Sequence, residues 1–223
     1  MTNRTALKYG PQNAPVLRQA TWISLTLGET ERALDLAQLA VDLDPLDYSG
    51  LFNFATTYWA LGQLQEEERI YRRILELYPD RSLQVVNSYL ASTLARQGKP
   101  EEALQYLDFD SESGWQRAIS ALVLHSLGRH EEEQQIRQIM IDEYSQTWPF
   151  GIALIYAWHG DRDNAFEWLD IAYEHRNSDM TNLVLNSWMS PLHDDPRWEN
   201  ILDRMGLMEY WKNSQARREE AES

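Results

Sequence analysis

Residues 51–79, LFNFATTYWALGQLQEEERIYRRILELYP, decide how the whole chain is read. Leu51, Phe54, Ala55 and Tyr58 recur at the three- and four-residue spacing of one helix face, Gly62 interrupts, Tyr71 lies on a second helical run, and Pro79 closes it. The same pattern returns along the chain. Gly28, Gly62, Gly98, Gly128 and Gly160 are separated by 34, 36, 30 and 32 residues. Seven residues before each glycine stands a small side chain: Thr21, Ala55, Ala91, Ala121 and Ala153. Four before stand Ser24, Tyr58, Leu94, Leu124 and Tyr156, and five after stand Ala33, Glu67, Ala103, Glu133 and Ala165. Pro45 and Pro79 hold the same place seventeen residues past the first two glycines.

Each column has a physical meaning. Apolar spacing such as Leu34, Ala37, Ala40 and Val41 predicts a second helix after each glycine. The glycine suits a left-handed cap on the first helix, which a Cβ would oppose. The small residue lets the paired helices approach. The proline ends the second helix because it cannot donate the next hydrogen bond. No strand-like alternation is present. The expectation is an all-α chain of five helix-turn-helix units.

These features resemble the tetratricopeptide repeat, a helix-turn-helix unit of about 34 residues. Residues 51–79 fit it best, and the first and fifth copies fit well. The third and fourth have Asp110 and Arg137 where a small or apolar residue is usual, so their second helices are expected to be short or shifted. The resemblance implies a right-handed superhelical solenoid whose first helices line a concave face. It divides the chain into an upstream helix end at 1–13, five repeats at 14–177, capping helices at 178–212 and a polar tail at 213–223.

Both ends carry further expectations. Ala6 and Pro11 occupy the columns of Ala40 and Pro45 one period earlier, so Thr5 to Tyr9 reads as the end of a second helix without its first. Solenoids shield their end repeats, so a chain starting mid-repeat reads as a piece of something longer. Near the other end, Asp194 or Asp195 suits an N-cap, Pro196 a first turn and Gly206 a C-cap. Trp198, Ile201, Leu202 and Met205 then form a buried face. This ending resembles the tetratricopeptide modules of bacterial signalling and regulatory proteins. That likeness implies an alternative role as the ligand-sensing module of a larger regulator. It also implies a cytoplasmic location, with the periplasm as the alternative.

Composition removes other classes. The chain has 223 residues, 35 acidic and 20 basic, a net charge of −15 and no cysteine. Such a charge repels phosphate backbones and anionic membrane surfaces. Without cysteine there is no disulfide, thiolate catalysis or cysteine zinc site. No run approaches the ~20 apolar residues of a membrane span. The histidines are His125, His130, His159, His175 and His193, and the nearest two lack same-face helical spacing, so they read as surface or turn residues. Glu131-Glu132-Glu133 reads as a solvated start of a helix, favourable with its dipole. With no phosphate loop or nucleophile elbow, the reading is non-enzymatic, without metal or cofactor.

The surplus is aromatic, with nine tryptophans. Counting back from each glycine, the first-helix stripe turned away from the second helix holds Arg18, Trp22, Phe52, Trp59, Arg96, Trp115, His125, Phe150 and Trp158. Exposed aromatics on such a stripe would form a groove for a protein or peptide partner. Chaperone-binding members of the resembled family clamp a peptide carboxylate with fixed lysine, asparagine and arginine side chains. Arg18 and Asn53 match that set, but Trp22, Val85 and Tyr89 stand where asparagine, lysine and arginine would be, which argues against the clamp. The function expected is a protein-interaction scaffold binding a peptide or partner helix, with the oligomeric state open.

Overall fold

The computed structural model describes residues 13–79 and 83–222, with side chains as far as Gln215. The expectation for residues 1–12 therefore lies outside the described residues. All regular secondary structure among those described is helical. They divide between Val86 and Asn87 into two compact units.

The first unit holds α1 (Ala14–Thr26), α2 (Thr30–Leu43), α3 (Tyr48–Leu61) and α4 (Leu64–Leu77). Helices α1 and α2 pack as one hairpin and α3 and α4 as another, with α3 lying against both α1 and α2. The columns of the repeat explain the packing. Thr21, Ala55 and Ala33 are fully buried, so small side chains stand where the helices come together. Asp47 caps α3 by accepting hydrogen bonds from the amides of Ser49 and Gly50. The Tyr78 hydroxyl donates to the Leu46 carbonyl, stitching the end of α4 to the preceding turn.

Helix α5 (Gln84–Arg96) crosses the division, and the second unit continues with α6 (Pro100–Ala103), α7 (Gly114–Ser126), α8 (His130–Tyr144), α9 (Pro149–Trp158) and α10 (Arg162–Glu174). Helices α7 and α8 form a hairpin, as do α9 and α10, and α9 packs on α7 and α8. As expected, the third second helix is short: α6 has four residues and passes into a 3-10 turn at Leu104–Tyr106. The fourth is not. Helix α8 runs fifteen residues because Arg137 is accommodated by partners described below. The five repeat glycines all have φ between 71° and 76°, the left-handed backbone that their column anticipated.

Two other glycines answer to space instead. A Cβ on Gly151 would lie 2.3 Å from carbons of the Trp148 ring, and one on Gly114 would lie 2.7 Å from Tyr144. Trp148 is pinned in turn, its Nε1 donating to Asp179 at 2.5 Å. Gly151→Ala should therefore destabilise the second unit by ~1.5 kcal/mol through overpacking, read as a lowered denaturation midpoint at unchanged slope.

The stretch expected to form capping helices begins with two 3-10 turns, Ser178–Asn182 and Ser187–Leu192, before α11 (Pro196–Arg204) and α12 (Met208–Glu222). Asp195 caps α11, accepting from the Arg197 amide. Trp198, Ile201 and Leu202 are buried as the sequence suggested, while Met205 is half-buried. Helix α11 is laid along α10 by Arg197 on Asp163 and Arg204 on Asp170, at 2.8 and 2.5 Å. Each pair spans 34 residues, so α11 keeps the repeat's register although its sequence no longer shows the repeat.

Candidate functional site

On α1, Arg18 and Trp22 stand one turn apart on one face. The Arg18 guanidinium donates to Asp47 at 3.0 Å, so the carboxylate that caps α3 also fixes the arginine. Trp22 is 36% exposed. Phe52 is half-buried, stacked on Tyr48 at 6.1 Å and tilted against Tyr71 at 6.0 Å. Trp59 is 8% exposed, with its Nε1 buried and lacking a hydrogen-bond partner among the described residues. Trp59 is thus buried, where Trp22 is open to solvent.

In the second unit Arg96 is half-buried and Phe150 is 3% exposed. Trp115 is half-buried between Tyr89 at 5.1 Å and Trp148 at 6.2 Å. Trp158 meets Trp188 edge-on at 4.3 Å and donates from Nε1 to Ser126 at 3.1 Å. Trp188 comes from the second 3-10 turn, which packs on α9; it is fully buried and donates to Ser92 at 3.0 Å. No repeat column marked Trp188, whereas Ser92 stands six residues before Gly98, on the stripe column of Trp22.

The structure brings together a polar cluster that sequence reading dispersed. His125, at the end of α7, stacks face to face on His159, the cap of α9, at 3.9 Å and 14°. His130, at the start of α8, meets His125 edge-on at 5.5 Å. One turn on, Glu133 is 3% exposed, which corrects the reading of Glu131-Glu132-Glu133 as a wholly solvated run. Its column explains this, because the equivalent positions hold the buried Ala33, Ala103 and Ala165. Arg137 donates to Glu133 at 2.9 Å and to the Tyr156 hydroxyl at 3.0 Å, with its guanidinium 5.1 Å from that ring's centre.

Burial, then the neighbouring His125, Arg137 and His130, push His159 from 6.5 down to about 3; Asp161 opposes weakly. The Glu133 carboxylate stands 3.7 Å from His159 Nε2, but Arg137 already occupies it, so it does not hold the imidazole charged. Burial also lowers His125. His125 and His159 lie at the turns, as one part of the sequence reading has it, but both are half-buried and burial favours their neutral form. Stacked rings turn faces, not nitrogens, toward each other, and no group of three side chains among the described residues is arranged to hold a metal ion.

With this geometry in hand, the class of fold is defined by comparison. The tetratricopeptide repeat model matches residues 48–81. In fold, the chain is similar to a tetratricopeptide repeat protein from Parabacteroides merdae, at 18% identity over 96% of this chain and 90% of that one, with a TM-score of 0.62. It is also similar to YrrB, a tetratricopeptide-repeat protein with an unusual peptide-binding site, at 18% identity over 82% and 96% of the two chains, TM-score 0.52. A chain of the APC/C assembly Cut9–Hcn1 aligns at 12% identity over 91% of this chain and 44% of its own length, TM-score 0.61. No curated protein matches by sequence. Residues 48–81 carry a tetratricopeptide repeat, and the described residues, all helical in their regular structure, share the fold of tetratricopeptide-repeat structures. No helix among the described residues is long and apolar enough to cross a membrane.

Proposed function

We propose that this chain is a non-enzymatic protein-interaction scaffold that takes a peptide or partner helix on the first-helix stripe. The observation that carries the reading is Trp22, exposed one turn from an Arg18 already fixed by Asp47. A rigid indole offers apolar area at low entropic cost, and an ordered guanidinium beside it can bind a carbonyl or carboxylate. The likeness to YrrB lends support, since that protein has a peptide-binding site. The partners would be proteins rather than nucleic acid or membrane, given the charge of −15. Trp59 and Phe150 support the scaffold from within.

The test selects peptides on the full chain from a random display library and measures their binding to variants. Trp22→Ala should weaken a selected peptide about tenfold, ~1.4 kcal/mol, at unchanged melting temperature. Trp59→Ala should instead lower the melting temperature, because it opens a cavity. Selected peptides that bind the Trp22→Ala and Arg18→Ala variants as tightly as the parent would refute the site.

A further inference from the structure

A second surface lies on the outer side of α2. Ala33, Ala37, Ala40 and Val41 face inward and are buried. On the opposite side Glu31, Asp35 and Asp42 form one row and Leu39 and Leu43 the row beside it, at the three- and four-residue spacing of a helix ridge. Leu46, in the turn that follows, extends the leucine row. The three leucines are 41%, 41% and 61% exposed. The repeat does not require Leu39, whose position one period later is Arg73, although Leu43 has a counterpart in the exposed Leu77. Several large apolar side chains set together in water mark an interaction surface rather than the scattered exposure common to all proteins.

Charge identifies the occupant. Every described arginine of the first unit is engaged elsewhere: Arg18 on Asp47, Arg32 on Glu29, Arg69 on Glu66 and Arg72 on Glu68. Arg73 donates to the Pro45 carbonyl, at the far end of the leucine row. Asp42 accepts a hydrogen bond from Gln38, and Asp44 from the Leu46 amide. Among the described residues no cation pairs with Glu31, Asp35, Asp42 or Asp44. An acidic row beside a leucine row complements a cationic row beside an apolar row. We propose that the outer face of α2 docks a basic amphipathic helix, separately from the aromatic stripe.

The probe is a fluorescein-labelled peptide of 18 residues, leucine and lysine only, patterned as an amphipathic helix and titrated into the full chain by anisotropy at moderate salt. Leu39→Lys with Leu43→Lys should weaken binding at least about tenfold, and so should Asp35→Asn with Asp42→Asn. Glu101→Gln with Glu131→Gln removes the same charge from exposed sites in the other unit and should leave binding unchanged. A leucine and glutamate peptide of the same pattern should not bind. Equal losses in the control pair would mean the chain merely attracts cations. Undiminished binding to both α2 double variants would place the peptide elsewhere. Either result overturns the proposal, as does the absence of binding.

Discussion

Trp188→Ala should lower the stability of the second unit by about 4 kcal/mol, the middle of the range for removing a buried aromatic. At this chain length that corresponds to a fall in melting temperature of roughly 12 °C. Three features of Trp188 set the magnitude. Its ring is fully buried, so truncation leaves a void bounded by α9. It holds the edge of Trp158 at 4.3 Å, and truncation removes that aromatic pairing as well. Its Nε1–H bond to Ser92 links residues 96 positions apart, so Ser92 Oγ would be left without this donor. Ser92→Ala isolates that last contribution and should cost ~1–2 kcal/mol by leaving the indole N–H buried without an acceptor. Differential scanning calorimetry on both variants checks the pair. A Trp188→Ala chain melting within a degree or two of the parent would mean that the 3-10 turns do not hold α9.

How far the sequence discloses this architecture depends on what repeats. The glycine column predicted five left-handed caps, and all five are present, because each unit imposes the same backbone demand. The small-residue column likewise anticipated the close approach of helices at Thr21, Ala55, Ala91, Ala121 and Ala153, all fully buried. Residues outside the columns were not legible. Trp188 lies in a stretch with no counterpart elsewhere in the chain, so nothing marked it as the residue covering α9. Glu133 shows the opposite failure. Its column did point inward, yet its two acidic neighbours made the run look solvated. Burial was possible because Arg137, an apparent misfit four residues on, supplies the countercharge. The stripe was legible as a helical face, but whether a ring on it is open depends on which helix packs alongside. Trp22 and Trp59 lie on the same stripe of successive repeats, yet one is 36% exposed and the other 8%.

His159 supplies the second large effect, through pH. Its folded-state value near 3 is far below the ordinary 6.5, so the folded chain resists a proton that the unfolded chain accepts. The stabilising contribution of the neutral ring is complete above about pH 6.5. It is lost progressively as the pH falls toward 3, and below that both states are protonated and the loss stops growing. At pH 4 the full shift corresponds to about 3.4 kcal/mol, and solvent screening at the partly exposed ring reduces the expectation to roughly 2 kcal/mol. Of the surrounding charges, only Asp161 favours the new one, and weakly. His125 is stacked on it, His130 lies beyond His125, and Arg137 is already positive beside it. Glu133, 3.7 Å from His159 Nε2, is already paired with Arg137, so its charge is shared. His159→Asn removes the titration while keeping a polar side chain at the helix cap. Urea titrations of both chains at pH 7 and pH 4 give the comparison, and the carboxylates common to both cancel. The variant should lose about 2 kcal/mol less than the parent over that interval, whatever the substitution costs at neutral pH. Parallel losses in the two chains would show that His159 takes up its proton in the folded state as easily as in the unfolded one, and that the stacked pair opens to water without resistance.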